Sequence, residues 1–339
     1  MPNALTSPFK KMNKQISENI SFGEEPLYSS ADGTTEVLHP FSTATKVGEK
    51  NLIAENIQRQ QKAYKNFWPY GEVSLYSSST AKNNIALWPI LCEEGVGVHV
   101  KSARELRWVF THDLPSKKIV VNARDLSNQL IQKCIHKNIT MTVKNTLQAE
   151  RISTLAKALG KTAIIRLQIN LGLIRPEISP NISERFSRLF TFLARKKSNN
   201  HANDLLQTGT QILTLANIKL NGFHVYCDEN QKTRCLEKYM AVLALLISKL
   251  SKTWHGFQPK ELILQGEFFN FRPVASTAFF CEYKVFNIET FAQLLLAKFR
   301  NTLIKEEVKL QGIALVISYD NAKTNSVSHL NPRHQEKLS

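Results

Sequence analysis

The residues able to do chemistry in this chain stand where short apolar runs end. LYSSSTAKNN at 75–84 passes from apolar residues into hydroxyls, a lysine and two asparagines. GVGVHVKSAREL at 95–106 supplies two glycines, His99, Ser102 and Glu105. RLQINLG at 166–172 brings Arg166, GFHVY at 222–226 brings His224 and Tyr226, and LQGEFF at 264–269 brings Gly266 beside Glu267. Glycines in such places let backbone N–H groups approach an anion, above all beside a helix N-terminus. His99, His224 and Glu267 are candidates to converge on a metal, but the nine histidines form no HxH or HExxH pair. The five cysteines (Cys92, Cys134, Cys227, Cys235 and Cys281) are widely spaced and form no CxxC. That spacing argues against a zinc ribbon or a disulfide framework, and for reduced thiols in a cytoplasmic protein.

Positioning these residues requires a regular scaffold, and the chain has the rhythm for one. β-rich runs are expected at 72–78, 96–100, 118–121, 139–143, 163–169, 218–227, 261–265 and 312–320. Between them lie amphipathic or nearly all-apolar helical stretches at 85–94, 103–110, 126–137, 146–160, 235–254 and 288–307, with a further helix at 51–68 before the first strand. Eight apolar strands alternating with helices predict an α/β fold of the (β/α)8, TIM-like type. A doubly wound open sheet is the alternative, but no GxGxxG turn supports it. The expected division is an irregular N-terminal arm at 1–48, the barrel at 49–322 and a polar tail at 323–339. Residues 170–210 read as the irregular part of the barrel, with an inserted helix and basic loop at 182–203.

Composition narrows the partners. The net charge of +16 is concentrated in the middle of the chain: residues 71–180 carry 15 basic against 8 acidic side chains, and 181–258 carry 11 against 5. Such a surface attracts nucleic acid, anionic lipid or acidic protein. The basic residues are dispersed, however, and RKK at 195–197 is the longest run. No apolar run reaches the length of a membrane span, and the N-terminus shows no secretory signal.

Taken in order, the motifs resemble a known family. GVGVHVKSAREL resembles the G-x-G-x-D-x-x-S-x-x-E-L element of fold-type III pyridoxal-phosphate enzymes, the alanine racemase-like barrels that include diaminopimelate and ornithine decarboxylases. Gly95, Gly97, Ser102, Glu105 and Leu106 match it, while His99 stands at the aspartate position. RLQINLG resembles the family's R-x-N-P-G strand, GFHVY its G-x-H-x-H strand and LQGEFF its I-G-G-G-F element. The resemblance covers about 50–320.

It implies a cofactor, and the implied site is incomplete. The family's Schiff-base lysine lies in Y-x-x-K-A-N at the end of the first strand. Counted back from Gly95, that position is Thr80, with Ala81 on the alanine and Lys82 on the asparagine. A threonine hydroxyl cannot form an imine, and Lys82 lies two residues on, about 6.6 Å along a strand. The phosphate glycines have become Gln265-Gly266-Glu267, and the residues after the sixth strand Asp228-Glu229. The family's ring-stacking histidine falls on Tyr226, or on His224 in a shifted alignment, and Arg166 matches an arginine at the barrel floor. E-P-G-R after the last strand has no counterpart in Ser318-Tyr319-Asp320-Asn321, and the family's C-terminal β-domain is not expected in the 18 residues that follow. These readings predict a pseudoenzyme: a barrel without pyridoxal phosphate, with Arg166, His224, Tyr226 and Gly266 as vestiges, acting through a protein partner or as a homo- or heterodimer. The alternative is an active decarboxylase or racemase that uses Lys82 and pyridoxal phosphate and is completed by another chain. A second alternative is a basic nucleic-acid or anionic-surface binder.

Overall fold

The computed structural model describes residues 47–78, 88–112, 114–122, 126–173, 200–227, 236–266 and 287–319. Contacts divide the chain into residues 1–52 and 53–339. Of the first unit only the helical start Val47–Leu52 is described; the second unit builds a closed barrel. Helix α1 (Val47–Phe67) begins at Val47, earlier than the sequence pattern suggests. The rest of the expected arm lies outside the described residues, as does the C-terminal tail.

Eight parallel strands close in sequence order: β1 (Val73–Ser78), β2 (Gly97–Val100), β3 (Ile119–Asn122), β4 (Met141–Val143), β5 (Ala163–Asn170), β6 (Ile218–Tyr226), β7 (Glu261–Gln265) and β8 (Ala314–Tyr319), the last pairing back onto β1. Each expected strand is present, within two residues of its expected bounds. The outer faces of the strands meet helices α2 (Trp88–Glu93), α3 (Ala103–Thr111), α4 (Asn128–His136), α5 (Thr146–Ala158), α6 (Asn200–Thr214), α7 (Leu236–Thr253) and α8 (Ile288–Lys305). Together they bury one contiguous apolar core between sheet and helix ring. No helix among the described residues is long and apolar enough to cross a membrane.

Helix α6 corrects the sequence reading, which assigns no helix to 204–214. Its sequence, NHANDLLQTGTQILT, is poor in strong helix formers and carries an internal glycine. Tertiary packing outweighs that propensity. Leu205 and Ile212 are buried, and a Cβ on Gly209 would lie 1.9 Å from the Trp254 ring, so the indole occupies the space the glycine leaves. Residues 174–199, which hold most of the expected insertion, lie outside the described residues.

Helix starts are set by polar caps. Ser102, Ser127, Asn145 and Asn287 each accept a backbone N–H from the first turn of α3, α4, α5 and α8. On α3 the cap is reciprocal in the manner of a capping box, because Glu105 Oε2 accepts the Lys101 backbone N–H at 2.8 Å.

Candidate functional site

Strand pairing and hydrogen bonds together place alternate residues inside the barrel. One irregularity fixes the phase. Ile165 pairs with Leu220 but Arg166 pairs with Gly222, so Asn221 is an extra residue in β6. After this bulge Gly222, His224 and Tyr226 lie beside Arg166, Gln168 and Asn170.

At the N-terminal end of the strands, the floor, the Arg166 side chain lies against Glu261 Oε2 and donates through Nη1 to the Thr140 carbonyl at 3.0 Å. Above this pair Tyr76, Val120, Ile263 and Val316 form a small apolar layer separate from the main core. The Tyr76 hydroxyl donates to the Lys117 carbonyl at 2.5 Å. Burial raises the Tyr76 pKa, so it remains a neutral donor. Gly97 makes room for the ring: a Cβ there would lie 2.4 Å from it.

Toward the C-terminal mouth the lumen turns polar and uncharged. His224 sits between two neutral partners, with Thr142 Oγ1 2.9 Å from Nδ1 and Gln265 Oε1 2.5 Å from Nε2. With the amide oxygen as acceptor, Nε2–H donates and Nδ1 accepts from the threonine, the neutral tautomer. His99 meets this ring edge-on, with centroids 5.3 Å apart at 68°. Burial holds the His99 pKa well below the usual range, helped by His224, Lys101 and Arg166. Ser318 completes this layer from β8, fully buried, and its Oγ has no hydrogen-bond partner among the described residues.

The fold brings together His99, His224 and Arg166 of the sequence-derived residues, with Tyr226 one pleat above His224 on β6. Thr80, Lys82, Asp228, Glu229 and Glu267 lie outside the described residues. Gly266, at φ +117°, is buried where β7 ends, and a Cβ there would lie 2.3 Å from the Cys227 carbonyl oxygen. The space that this glycine leaves is filled by an acceptor oxygen of the neighbouring strand exit. Thr142 is a site residue that sequence reasoning missed. Its signal is a polar residue with an apolar neighbour on each side in MTV, the same pattern that marks His99 in VHV and His224 in FHV.

The matched residues of GVGVHVKSAREL are each accounted for by folding. Gly95 adopts φ +69°, Gly97 clears the Tyr76 ring, Ser102 and Glu105 cap α3, and Leu106 is fully buried. The segment therefore identifies a scaffold. Residues 54–187 match the family model of the pyridoxal binding domain of pyridoxal-dependent decarboxylases. Diaminopimelate decarboxylase of Archaeoglobus fulgidus is 26% identical over 165 residues, 46% of this chain and 38% of that protein. The Methanocaldococcus jannaschii enzyme of the same name is 30% identical over 151 residues, 44% and 34% of the two chains. Its crystal structure superposes with a TM-score of 0.55 at 20% identity, covering 78% of this chain and 59% of that one. Diaminopimelate decarboxylase of Helicobacter pylori gives 0.53 at 16% identity, covering 78% and 61%. The chain thus matches less than two thirds of each relative, and at these identities the structures speak to the fold alone. Motif order, family model and closed barrel together relate this chain to the fold-type III, alanine racemase-like pyridoxal-phosphate enzymes through their cofactor-binding barrel.

Proposed function

We propose that this chain keeps the decarboxylase-like barrel without its cofactor chemistry and acts as a non-catalytic accessory subunit through association with another protein chain. The observation that carries the reading is the exit of β6 and β7. A phosphate dianion needs converging N–H donors, yet the room left by Gly266 is taken by the Cys227 carbonyl, an acceptor. The sequence continues from these two neighbours with Asp228 and Glu267, carboxylates whose repulsion of a dianion at about 4 Å amounts to several kcal/mol at an effective dielectric of about 20. Of the two candidates for stacking on the cofactor ring, Tyr226 and His224, His224 is 1% exposed and has both ring nitrogens engaged by Thr142 and Gln265. At the position aligned with the Schiff-base lysine, Thr80 has no amine to offer. The residues present do not suit pyridoxal phosphate.

The test is to titrate the purified chain with pyridoxal phosphate, reduce with borohydride and map the peptides. No saturable adduct is expected. A stoichiometric reduced adduct on Lys82 would overturn the proposal and support the reading in which that lysine serves catalysis. Light scattering across a concentration series tests association; a dimer is the expected self-associated form, and a persistent monomer counts against it.

A further inference from the structure

The turns that carry each helix into the next strand lie together at the barrel floor, opposite the mouth. From α4 to β7 this floor is lysine-rich and acid-free. Lys133 and Lys157 stand in the last turns of α4 and α5. Lys137, Lys161 and Lys260 stand in the turns before β4, β5 and β7, and Lys219 is the second residue of β6. Lys161 is half-buried and the other five are exposed. The turns KNIT (137–140), LGKT (159–162), LAN (215–217) and WHGFQPK (254–260) contain no acidic residue. Glu261, which opens β7, is turned into the barrel against Arg166. None of the six lysines forms an ion pair among the described residues. The acids of the floor begin at the edge of this arc: Glu306 meets Lys252 in the last turn of α7, Glu307 follows it, and Glu72 before β1 meets Lys118. The six lysines therefore form a half-ring whose own turns carry no acid, with the first acids of the floor at its β7 edge.

We propose that this half-ring docks the protein on an anionic lipid surface. The inference does not rest on the cofactor reading, because floor and mouth are opposite ends of the barrel. Turns around one end of a closed barrel form a near-planar set, which a flat bilayer meets all at once. A nucleic-acid duplex is a cylinder and meets only those along one line. No arginine stands in these turns to read a base or clamp a phosphate bidentately, and the aromatic rings of the turn before β7, Trp254 and Phe257, pack on each other against the core. Lysine ammonium groups on flexible stems suit mobile headgroups. Leu213, 44% exposed in the last turn of α6, gives the same end an apolar side chain to place at the interface.

The experiment is co-sedimentation of the full chain with phosphatidylcholine vesicles, with and without about a third phosphatidylserine. Each surface lysine contributes about fivefold to partitioning onto such a membrane, so the triple variant Lys137→Gln, Lys161→Gln, Lys219→Gln is expected to lose about a hundredfold. A control of equal charge change at the mouth end, Arg104→Gln, Lys144→Gln, Lys238→Gln, is expected to retain binding within a few fold. Thermal melts of both variants check that the barrel is intact. Binding confined to the anionic vesicles, lost in the floor variant and weakened by salt, supports the proposal. Three results overturn it: no binding to anionic vesicles, equal loss in both triple variants, or floor-dependent binding to a random-sequence duplex without vesicle binding.

Discussion

Acid should weaken this barrel through one residue, His99. Its ring is 2% exposed inside the lumen, faces the His224 ring at 5.3 Å, and lies within the field of Lys101 and Arg166. Burial is the largest cause of its lowered pKa, and the three neighbours act in the same direction. In the unfolded chain a histidine titrates near 6.5. Above that pH both states hold a neutral His99, and the residue costs nothing. Below it the unfolded state gains a proton that the folded state refuses, so stability falls as pH falls, at up to about 1.4 kcal/mol per pH unit until the folded-state pKa is reached. Between pH 8 and pH 5 this amounts to about 2 kcal/mol for one group whose folded pKa lies well under that window. The assay is urea unfolding of wild type and His99→Gln at half-unit pH steps from 8 to 5, the variant providing the background from every other titrating group. The wild-type curve is expected to fall away from the variant's below about pH 6.5, with the gap closing at higher pH apart from a constant offset. Parallel curves across the whole range would refute the reasoning, because they would mean that the ring is protonated as easily in the barrel as in the unfolded chain.

Three further outcomes follow from the same geometry. Gly222→Ala places a methyl group 1.9 Å from the Glu261 carbonyl oxygen, a backbone atom that cannot swing aside; a loss of about 3 kcal/mol is expected in chemical denaturation, at the upper end of overpacking costs. Glu261→Ala strands the Arg166 guanidinium, whose side chain is 4% exposed, and is expected to cost about 3–5 kcal/mol. The double change Arg166→Met, Glu261→Leu should recover most of that loss in the same melt, and a failure to recover would mean the pair does more than neutralise itself. Burial pushes the Cys134 thiol up to about 12 and the Cys92 thiol up to about 11, so native protein at pH 8 should leave both unlabelled by iodoacetamide, with peptide mapping showing modification only after unfolding.

Much of the fold was legible because parallel strands buried on both faces read as apolar runs, and each of the eight expected runs is a strand. The break came at α6. Asn, Thr and Gly are weak helix formers, so local propensity there points away from a helix. The reason for Gly209 is the Trp254 ring, 45 positions along the chain and invisible to any local pattern. The lumen was half legible. His99 and His224 were legible through the motifs that they share with the family, and each is a lone histidine in an apolar run. Their meeting, and the part played by Thr142, depend on closure of the barrel and on the extra residue at Asn221, which resets the facing of β6. A bulge of one residue leaves no mark in composition or period. Arg166 was legible as a floor residue, but its partner Glu261 lies 95 positions away and is set by strand order alone.

The segment that carries this chain's likeness to the decarboxylase barrels is held by the fold itself. Gly95, Gly97, Ser102, Glu105 and Leu106 answer to a left-handed turn, a tyrosine ring, a helix cap and the core. Each is held in place by folding, whatever happens at the mouth. In barrels of this kind the loops after the strands carry the chemistry and the opposite end carries the stability, so a changed side chain in such a loop costs the scaffold little. On the proposed reading, selection on the reaction could therefore lapse at Thr80, Asp228 and Glu267 without disturbing Leu106 or the α3 cap. The position where the two demands meet is His99, inside the lumen yet within the motif. An aspartate there, as in the family pattern, would be a buried charge needing a partner. A neutral histidine packed against His224 needs no counter-charge, and it suits the mouth-side layer of the lumen, where its neighbours Thr142, Gln265 and Ser318 are uncharged.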